Sequence, residues 1–236
     1  PVCDILYPKA SDVIGDRSFG DNADKVIDLC RSAISGIHHS GGLPFIKHIP
    51  GHGRAIVDSH FELPTIETKL ETLVETDFKV FRELAQEKVW GMTAHIIYTA
   101  LDPKNTATTS SVVIQYIREK IGFKGKLVSD DICMYALHGT IGKKNAILKK
   151  VINIAEKEGQ WKELYAEDLN KLLGINTVQV GNALIIEICQ KKLTELKPEF
   201  LESLAKTTKL SLVAGCNIIL HCSGDLEEMR TVCSAL

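Results

Sequence analysis

The sequence predicts an α/β protein whose parallel sheet is built like a (β/α)8 barrel. Compact apolar runs alternate with amphipathic helical segments, which is the pattern of βαβ units. The runs are apolar on both faces, as buried parallel strands are. The predicted strands are residues 2–7, 43–49, 89–97, 126–129 and 216–222. The first four start about 40 residues apart, which fits barrel units of about 30 residues with long loops.

Three helices are predicted between these strands, because apolar residues recur there at intervals of three and four. The first covers residues 23–37, and the second has its apolar stripe at 70–84. Pro64 and Thr65 are typical of a helix start, so we expect the second helix to begin there. The third passes through residues 113–117 and is capped by Ser110 or Ser111.

Five strands cannot close an eight-stranded barrel, so the chain either lacks N-terminal strands or forms an open, doubly wound sheet. We favour the incomplete barrel, and expect barrel strands to precede Pro1. The interval between the fourth and the fifth predicted strand is far longer than one barrel unit. The additional residues are rich in Lys, Glu and Leu at helical spacing. The predicted division is barrel units with a functional loop at 1–138, an inserted helical subdomain at 139–208, and the last strand with the start of a helix at 209–236.

The composition excludes several kinds of partner. Lys and Arg number 28 against 30 Asp and Glu, and the net charge of −2 offers no basic surplus to nucleic acid or an anionic membrane. The apolar runs are far shorter than the about 20 residues that cross a bilayer.

The seven cysteines are odd in number and show no CxxC spacing. Free thiols in a reducing cytoplasm fit this pattern, so we expect a cytoplasmic protein.

Histidines are concentrated in one segment of the chain. Five of the eight lie at residues 38–60, and His48, His52 and His60 belong to the stretch 47–60. This stretch begins where a predicted strand ends and passes through Pro-Gly-His-Gly, where neither helix nor strand continues. Loops at the C-terminal ends of parallel strands carry the active sites of α/β proteins. The cluster therefore predicts a functional site, although any one histidine could simply lie on the surface.

A second candidate is Ser129-Asp130-Asp131, which ends another predicted strand. Successive strand side chains point to opposite faces, so only one of the two carboxylates easily reaches the barrel mouth. We assign that position to Asp130. Asp131 is predicted to cap a following helix at residues 132–137.

Five segments that occur together and in order identify a family. They are DRSFG at 16–20, KHIPGHGRAIVDSH at 47–60, MTAH at 92–95, SDD at 129–131 and AGCN at 214–217. The combination closely resembles family 3 of the glycoside hydrolases, over about residues 1–138 and 209–229. Lys-His-x-Pro-Gly-His-Gly followed by Asp-Ser-His is highly specific, whereas Ser-Asp-Asp alone is not.

The resemblance implies a (β/α)8 barrel that removes terminal β-linked N-acetylglucosamine from peptidoglycan-derived muropeptides with retention. By position it makes Asp130 the nucleophile, His60 the acid/base and Asp58 the partner of His60. The chemistry agrees, since an ionised aspartate can attack the anomeric carbon directly and an imidazole both gives and takes protons near neutral pH. A carboxylate two residues away can fix the tautomer of that imidazole. The resemblance implies no cofactor and no metal, and we expect a monomer.

The resemblance also places Arg17, Lys47 and His48 in sugar binding. The planar fork of Arg17 and the three donors of Lys47 suit sugar hydroxyls. Arg17 could instead pair only with Asp16, and Lys47 could be a solvated loop charge. His95 ends a predicted strand, and we include it among the substrate-binding residues, with a hydrogen-bonded core histidine as the alternative.

The chain departs from the family pattern in two places, which keeps two other functions open. The family has roughly three strands of sequence before the equivalent of Val2, and residues 139–208 are foreign to its pattern. The first alternative is a non-catalytic sugar-binding or interaction homologue that uses the insert as an interaction module. The second is a zinc-dependent hydrolase with four ligands in one loop: His48, His52, Asp58 and His60.

Overall fold

The computed structural model describes residues 1–157, 159–177 and 179–236. It is an α/β fold with a four-stranded parallel sheet and a second, two-stranded parallel sheet. The strands are β1 Phe45–Ile49, β2 Thr65–Ile66, β3 Trp90–Thr93, β4 Ile97–Tyr98, β5 Leu127–Asp131 and β6 Ile218–Leu220. The larger sheet has the order β1-β3-β5-β6, and β2 pairs with β4. This confirms the predicted fold class.

Neighbouring strands of the larger sheet are also successive in the chain, as in a (β/α)8 barrel. A doubly wound sheet would reverse its order at a switch point, and the four described strands contain no such reversal. Val2 continues the series, because it bridges to Lys47 on the edge of β1 that β3 leaves free. The predicted strand at residues 2–7 is otherwise wrong, since Leu6 donates its N–H to Gly20 in a loop. The sheet is therefore an open sheet with the strand order of a barrel.

Helices follow the strands and bury their apolar faces. Those described are α1 Ala23–His39, α2 Leu70–Glu75, α3 Asp77–Leu84, α4 Ser111–Glu119, α5 Gly139–Glu156, α6 Trp161–Leu173, α7 Asn182–Ala214 and α8 Leu226–Ala235. Buried residues of α1, α3 and α4 form one core with β1 and β5. The predicted first helix is confirmed. The Ser110 hydroxyl caps α4 by accepting the N–H of Val113 at 3.2 Å, which decides between the two predicted caps.

The second predicted helix differs from the structure at its start and in its middle. Residues 65 and 66 form strand β2, and the helix begins only at Leu70. It is then interrupted at Thr76, which separates α2 from α3. The next residue, Asp77, is buried and binds Arg54 at 2.6 Å. A buried charge needs such a partner, and this long-range ion pair lies where the helical path breaks.

The turn after β5 also differs from the prediction. The carboxylate of Asp131 accepts the N–H of Cys133 at 3.1 Å, but residues 132–137 form no α-helix. The chain instead makes a short 3-10 helix, Tyr135–His138. The same carboxylate oxygen accepts the N–H of Cys222 at 3.1 Å, so it joins the ends of β5 and β6. Asp131 therefore links two loops rather than capping an α-helix.

A helical segment follows, as the sequence predicts. Helices α5, α6 and α7 share a separate apolar core that includes Leu148, Trp161 and Phe200. Helix α7 continues past the predicted boundary at residue 208 and ends at Ala214. Gly215 then has a φ of 118°, a conformation that favours glycine. The division into 1–138, 139–208 and 209–236 stays a prediction.

Two further observations concern the whole described chain. All seven cysteines are free thiols, as expected. No helix among the described residues combines the length and the apolar character needed to span a bilayer.

Candidate active site

The candidate site lies where parallel strands end at one edge of the sheet. Lys47 and His48 belong to β1, His95 follows β3 by two residues, and Asp130 is the penultimate residue of β5. Three of the seven predicted site residues thus lie in strands of the sheet and His95 lies just after one, whereas Asp58 and His60 come from a loop and Arg17 from a short 3-10 helix. The peptide bonds Lys47–His48 and Ile49–Pro50 are cis, where the chain leaves β1.

A buried carboxylate, Asp4, organises the loop after β1. It accepts the backbone N–H of His48 at 3.2 Å and that of His52 at 2.6 Å. Nδ1 of His48 lies 2.7 Å from its other oxygen. Burial acts to raise the pKa of Asp4, but its interactions with His48 and His52 outweigh burial and hold this pKa below its usual range. An ionised carboxylate only accepts hydrogen bonds, so Nδ1 of His48 carries a proton and donates it.

Asp4 is a residue of the site that was not predicted from the sequence. The available signal was an acidic side chain inside an otherwise apolar run, Val-Cys-Asp-Ile-Leu at residues 2–6. Acidic side chains are rarely buried without a partner, so a partner for Asp4 was to be expected. The sequence could not name that partner, because His48 lies 44 residues away along the chain.

Asp130 is held as a carboxylate at the end of β5. Its side chain is 21% exposed, and Oδ2 lies 3.6 Å from Nε2 of His48. Oδ1 accepts the backbone N–H of Asp131 at 2.8 Å. Burial acts to raise the pKa of Asp130, but His95, His48, this N–H and the ammonium of Lys47 together lower it. The group is therefore an anion that is partly open to solvent.

His95 lies behind this carboxylate with both ring nitrogens occupied. Nε2 is 3.0 Å from the carbonyl oxygen of Asp131, and Nδ1 is 2.7 Å from the hydroxyl of Thr108. The side chain is 1% exposed, and burial lowers the pKa of His95. A neutral ring that donates from Nε2 and accepts at Nδ1 satisfies both contacts. The predicted sugar contact therefore has no free nitrogen here, and His95 supports the strand end instead.

His60 and Asp58 form a pair at the surface. One oxygen of Asp58 accepts both the backbone N–H of His60 at 2.9 Å and its Nδ1 at 2.7 Å. The His60 side chain is 56% exposed, and its Nε2 makes no hydrogen bond within the described residues. The carbonyl of His60 accepts the N–H of Tyr135, which ties the loop to the turn after β5. His60 and Asp130 form no direct ion pair within the described residues.

The structure does not bring Arg17 to this cluster. Arg17 is exposed in the 3-10 helix Gly15–Arg17, where its guanidinium donates to the carbonyls of Val13 and Ile14. No described bond joins it to Asp16 or to another predicted site residue. The guanidinium therefore binds carbonyl oxygens of its own loop.

His52 has a structural environment within the loop. Its Nε2 lies 2.9 Å from the hydroxyl of Ser59, and its ring packs edge to face on His48. Burial lowers the pKa of His52 to about 4. Within the described residues, no three ligand atoms from the histidines of this loop and Asp58 gather closely enough for a metal ion. The predicted alternative of a zinc site on the loop is therefore not supported.

The fold and this cluster define a barrel-type α/β domain with an acid–imidazole site at its strand ends. The chain belongs to glycosyl hydrolase family 3, because residues 1–152 match the N-terminal domain of that family. It is 40% identical over 136 residues to a β-hexosaminidase of Tolumonas auensis, which covers 57% of this chain and 40% of that protein. A match at 35% identity to a β-hexosaminidase of Pasteurella multocida covers 38% of that protein.

A solved structure gives the same fold. The structure of NagZ from Neisseria gonorrhoeae with N-trifluoroacetyl-D-glucosamine has a TM-score of 0.65 and 24% sequence identity. The alignment covers 99% of this chain and 50% of NagZ. The chain thus spans about two fifths of the curated relatives that it matches, and about half of this structural neighbour.

Proposed function

We propose that this chain carries the catalytic groups of a retaining exo-β-N-acetylglucosaminidase. The observation that carries the proposal is the Asp130 carboxylate at the end of β5, with a lowered pKa and 21% of its side chain exposed. In a retaining hydrolase such a carboxylate attacks the anomeric carbon, and the leaving oxygen departs as the glycosyl–enzyme ester forms. An aspartate that is already ionised needs no base to activate it.

His60 is the proposed acid/base. In the first step its imidazolium gives a proton to the leaving oxygen while Asp130 attacks the anomeric carbon. In the second step the neutral ring takes a proton from water, which attacks the same carbon and releases the Asp130 carboxylate. Asp58 holds Nδ1–H at 2.7 Å, which leaves Nε2 for both transfers and stabilises the imidazolium. The exposed position of His60 gives leaving group and water access to this nitrogen.

Lys47 and His48 are the proposed sugar contacts beside the nucleophile. Asp4 holds a proton of His48 on Nδ1, which leaves Nε2 as the ring nitrogen for a sugar contact. Nε2 lies 3.6 Å from Asp130, so a hydroxyl bound by it would lie next to the attacking oxygen. Arg17 stays a predicted sugar contact, and it would first have to leave the carbonyls of its own loop.

The proposed substrate is a terminal β-linked N-acetylglucosamine residue. Relatives named β-hexosaminidase and a neighbour solved with N-trifluoroacetyl-D-glucosamine, an N-acylated glucosamine, support this class of sugar. Following the family resemblance, we propose that the sugar is carried on peptidoglycan-derived muropeptides, and that the protein acts as a monomer in the cytoplasm.

The proposal is tested with the 236-residue chain and 4-nitrophenyl β-N-acetylglucosaminide. We expect turnover that Asp130→Ala removes and that the exposed control Asp12→Ala leaves unchanged. Proton NMR of the earliest product should show the β anomer of N-acetylglucosamine, because double displacement retains configuration. A 5-fluoro N-acetylglucosaminyl fluoride, which slows breakdown of the ester, should label a peptide that contains Asp130.

Three results would overturn the proposal. An α anomer formed first would mean inversion. If Asp130→Ala and the unaltered chain turned over substrate equally, Asp130 would not be the nucleophile. Binding of N-acetylglucosamine with no hydrolysis would support a non-catalytic sugar-binding homologue instead.

A further inference from the structure

Three side chains outside the proposed active site converge at the ends of β5 and β6. Cys133 follows β5, His221 follows β6, and Glu228 lies in the first turns of α8. Their ligand atoms all lie within 4.8 Å of one another. We propose that they form a binding site for a divalent transition-metal ion of the Zn²⁺ type. This proposal does not depend on the proposed hydrolase activity.

The distances fit a tetrahedral ion. Zinc bonds of 2.0–2.3 Å at tetrahedral angles put neighbouring ligand atoms about 3.3–3.7 Å apart. An oxygen of Glu228 lies 3.3 Å from Nε2 of His221 and 3.5 Å from Sγ of Cys133. Two of the three ligand-to-ligand distances therefore already have tetrahedral values, and the third, between Cys133 and His221, is within 4.8 Å.

The donor set suits zinc and not magnesium or calcium. Thiolate, imidazole and carboxylate are the three ligand types of Zn²⁺, whereas the alkaline-earth ions prefer oxygen alone. Cys133 loses its thiol proton to solvent when it binds the ion. Three protein ligands leave a fourth position for water or for the hydroxyl of Ser223, which lies 3.2 Å from Nε2 of His221.

The side-chain carboxylate of Asp131, outside the cluster, holds the backbone at two of these ligands. One oxygen of Asp131 accepts the N–H of Cys133 and the N–H of Cys222, the neighbour of His221. Such supporting hydrogen bonds orient the groups that bind a metal. Glu228 also lines a cavity of about 170 Å³ against α5 and α7. A bound ion would clamp the β5 and β6 loops together, three residues from Asp130.

The test uses the 236-residue chain with Zn²⁺ alone and with Co²⁺ alone. We expect one equivalent of Zn²⁺ by competition with a chromophoric chelator, and a near-ultraviolet thiolate-to-cobalt charge-transfer band. Ligand variants Cys133→Ser, His221→Ala and Glu228→Gln should each weaken binding at least tenfold. The control Cys222→Ser removes an exposed neighbouring thiol and should bind normally, as should His60→Ala in the other loop. Zinc should also raise the unfolding temperature of the unaltered chain, because the ion binds the folded state.

Several outcomes would overturn the proposal. One is a stoichiometry near zero, or a cobalt spectrum of the unaltered chain without a thiolate band, and neither depends on the folding of a variant. Another is binding by Cys133→Ser or His221→Ala that equals binding by the unaltered chain. Loss of binding in Cys222→Ser or His60→Ala alone would place the ion elsewhere.

Discussion

Nδ1 of His48 lies 2.7 Å from a carboxylate oxygen of Asp4, and the two side chains are 7% and 0% exposed. Asp4 also accepts the backbone N–H groups of His48 and His52. One buried anion therefore fixes both the path of the loop after β1 and the tautomer of the imidazole that faces Asp130. The geometry of the candidate site depends on this residue, although the proposed chemistry does not use it.

Replacing Asp4 with alanine should strongly destabilise the chain. The change leaves three buried donors of His48 and His52 without an acceptor, and we expect a loss of about 3–5 kcal/mol in the free energy of unfolding. Urea denaturation followed by circular dichroism measures this loss. The control Asp12→Ala removes an exposed carboxylate and should change stability by less than about 0.5 kcal/mol. Similar losses for both variants would contradict the anchoring role of Asp4.

His60→Ala should slow hydrolysis according to the leaving group. For a poor leaving group we expect kcat/KM to fall roughly 10²–10⁴-fold, because the departing oxygen then lacks its proton donor. A dinitrophenyl glycoside needs no protonation, so its kcat/KM should change little. Steady-state assays with the two substrates measure the difference, and His39→Ala, an exposed histidine of α1, is the control. An equal loss of kcat/KM for both leaving groups would show that His60 is not the acid/base.

Acid should destabilise the fold through buried histidines, of which His138 is the clearest. Burial lowers its pKa to about 4, and its ring lies against the carbonyl of Ile132 and the hydroxyl of Ser203. Between pH 6.5 and 4 the unfolded chain binds a proton at this residue and the folded chain does not. The stabilisation is therefore complete above about pH 6.5 and decreases by roughly 2–3 kcal/mol as the pH falls towards 4.

The measurement is the free energy of unfolding against pH for His138→Gln. The variant cannot gain this proton, so its curve should be flatter between pH 6.5 and 4 than that of the unaltered chain. The slope is the readout, so an overall loss of stability does not obscure it. His39→Gln, an exposed control, should keep the original slope. An unchanged slope in His138→Gln would show that this residue does not titrate as described.

Two glycine substitutions should have opposite signs. A Cβ at Gly53 would lie 1.8 Å from the carbonyl oxygen of Ile5, so Gly53→Ala must push the loop after β1 away from the Asp4 segment. We expect a loss of about 1–3 kcal/mol. Gly36 lies inside α1 with no atom within 4 Å of such a Cβ, and Gly36→Ala should gain roughly 0.5–1 kcal/mol. Thermal and urea unfolding of the pair test this, and a neutral Gly53→Ala would contradict the described packing.

Several features were predictable because they depend on neighbours in the chain. The apolar spacing of α1 and α4 shows a buried face, and the alternation of strands and helices gives a parallel sheet. The positions of Lys47, His48 and Asp130 at strand ends follow from the same pattern. Asp58 and His60 are two residues apart, so their hydrogen bond also needs only local geometry.

Other features were decided by residues far apart in the chain. Local periodicity was sufficient to predict α1 and α4 and the polar groups at the ends of β1 and β5, although it misassigned residues 2–7, 65–66 and 132–137. Long-range contacts were needed to show that Asp4 anchors His48, that both nitrogens of His95 are occupied, and that Cys133 contacts Glu228, 95 residues away. The physical reason is that a buried polar group must find a partner, and folding, rather than spacing, selects which one.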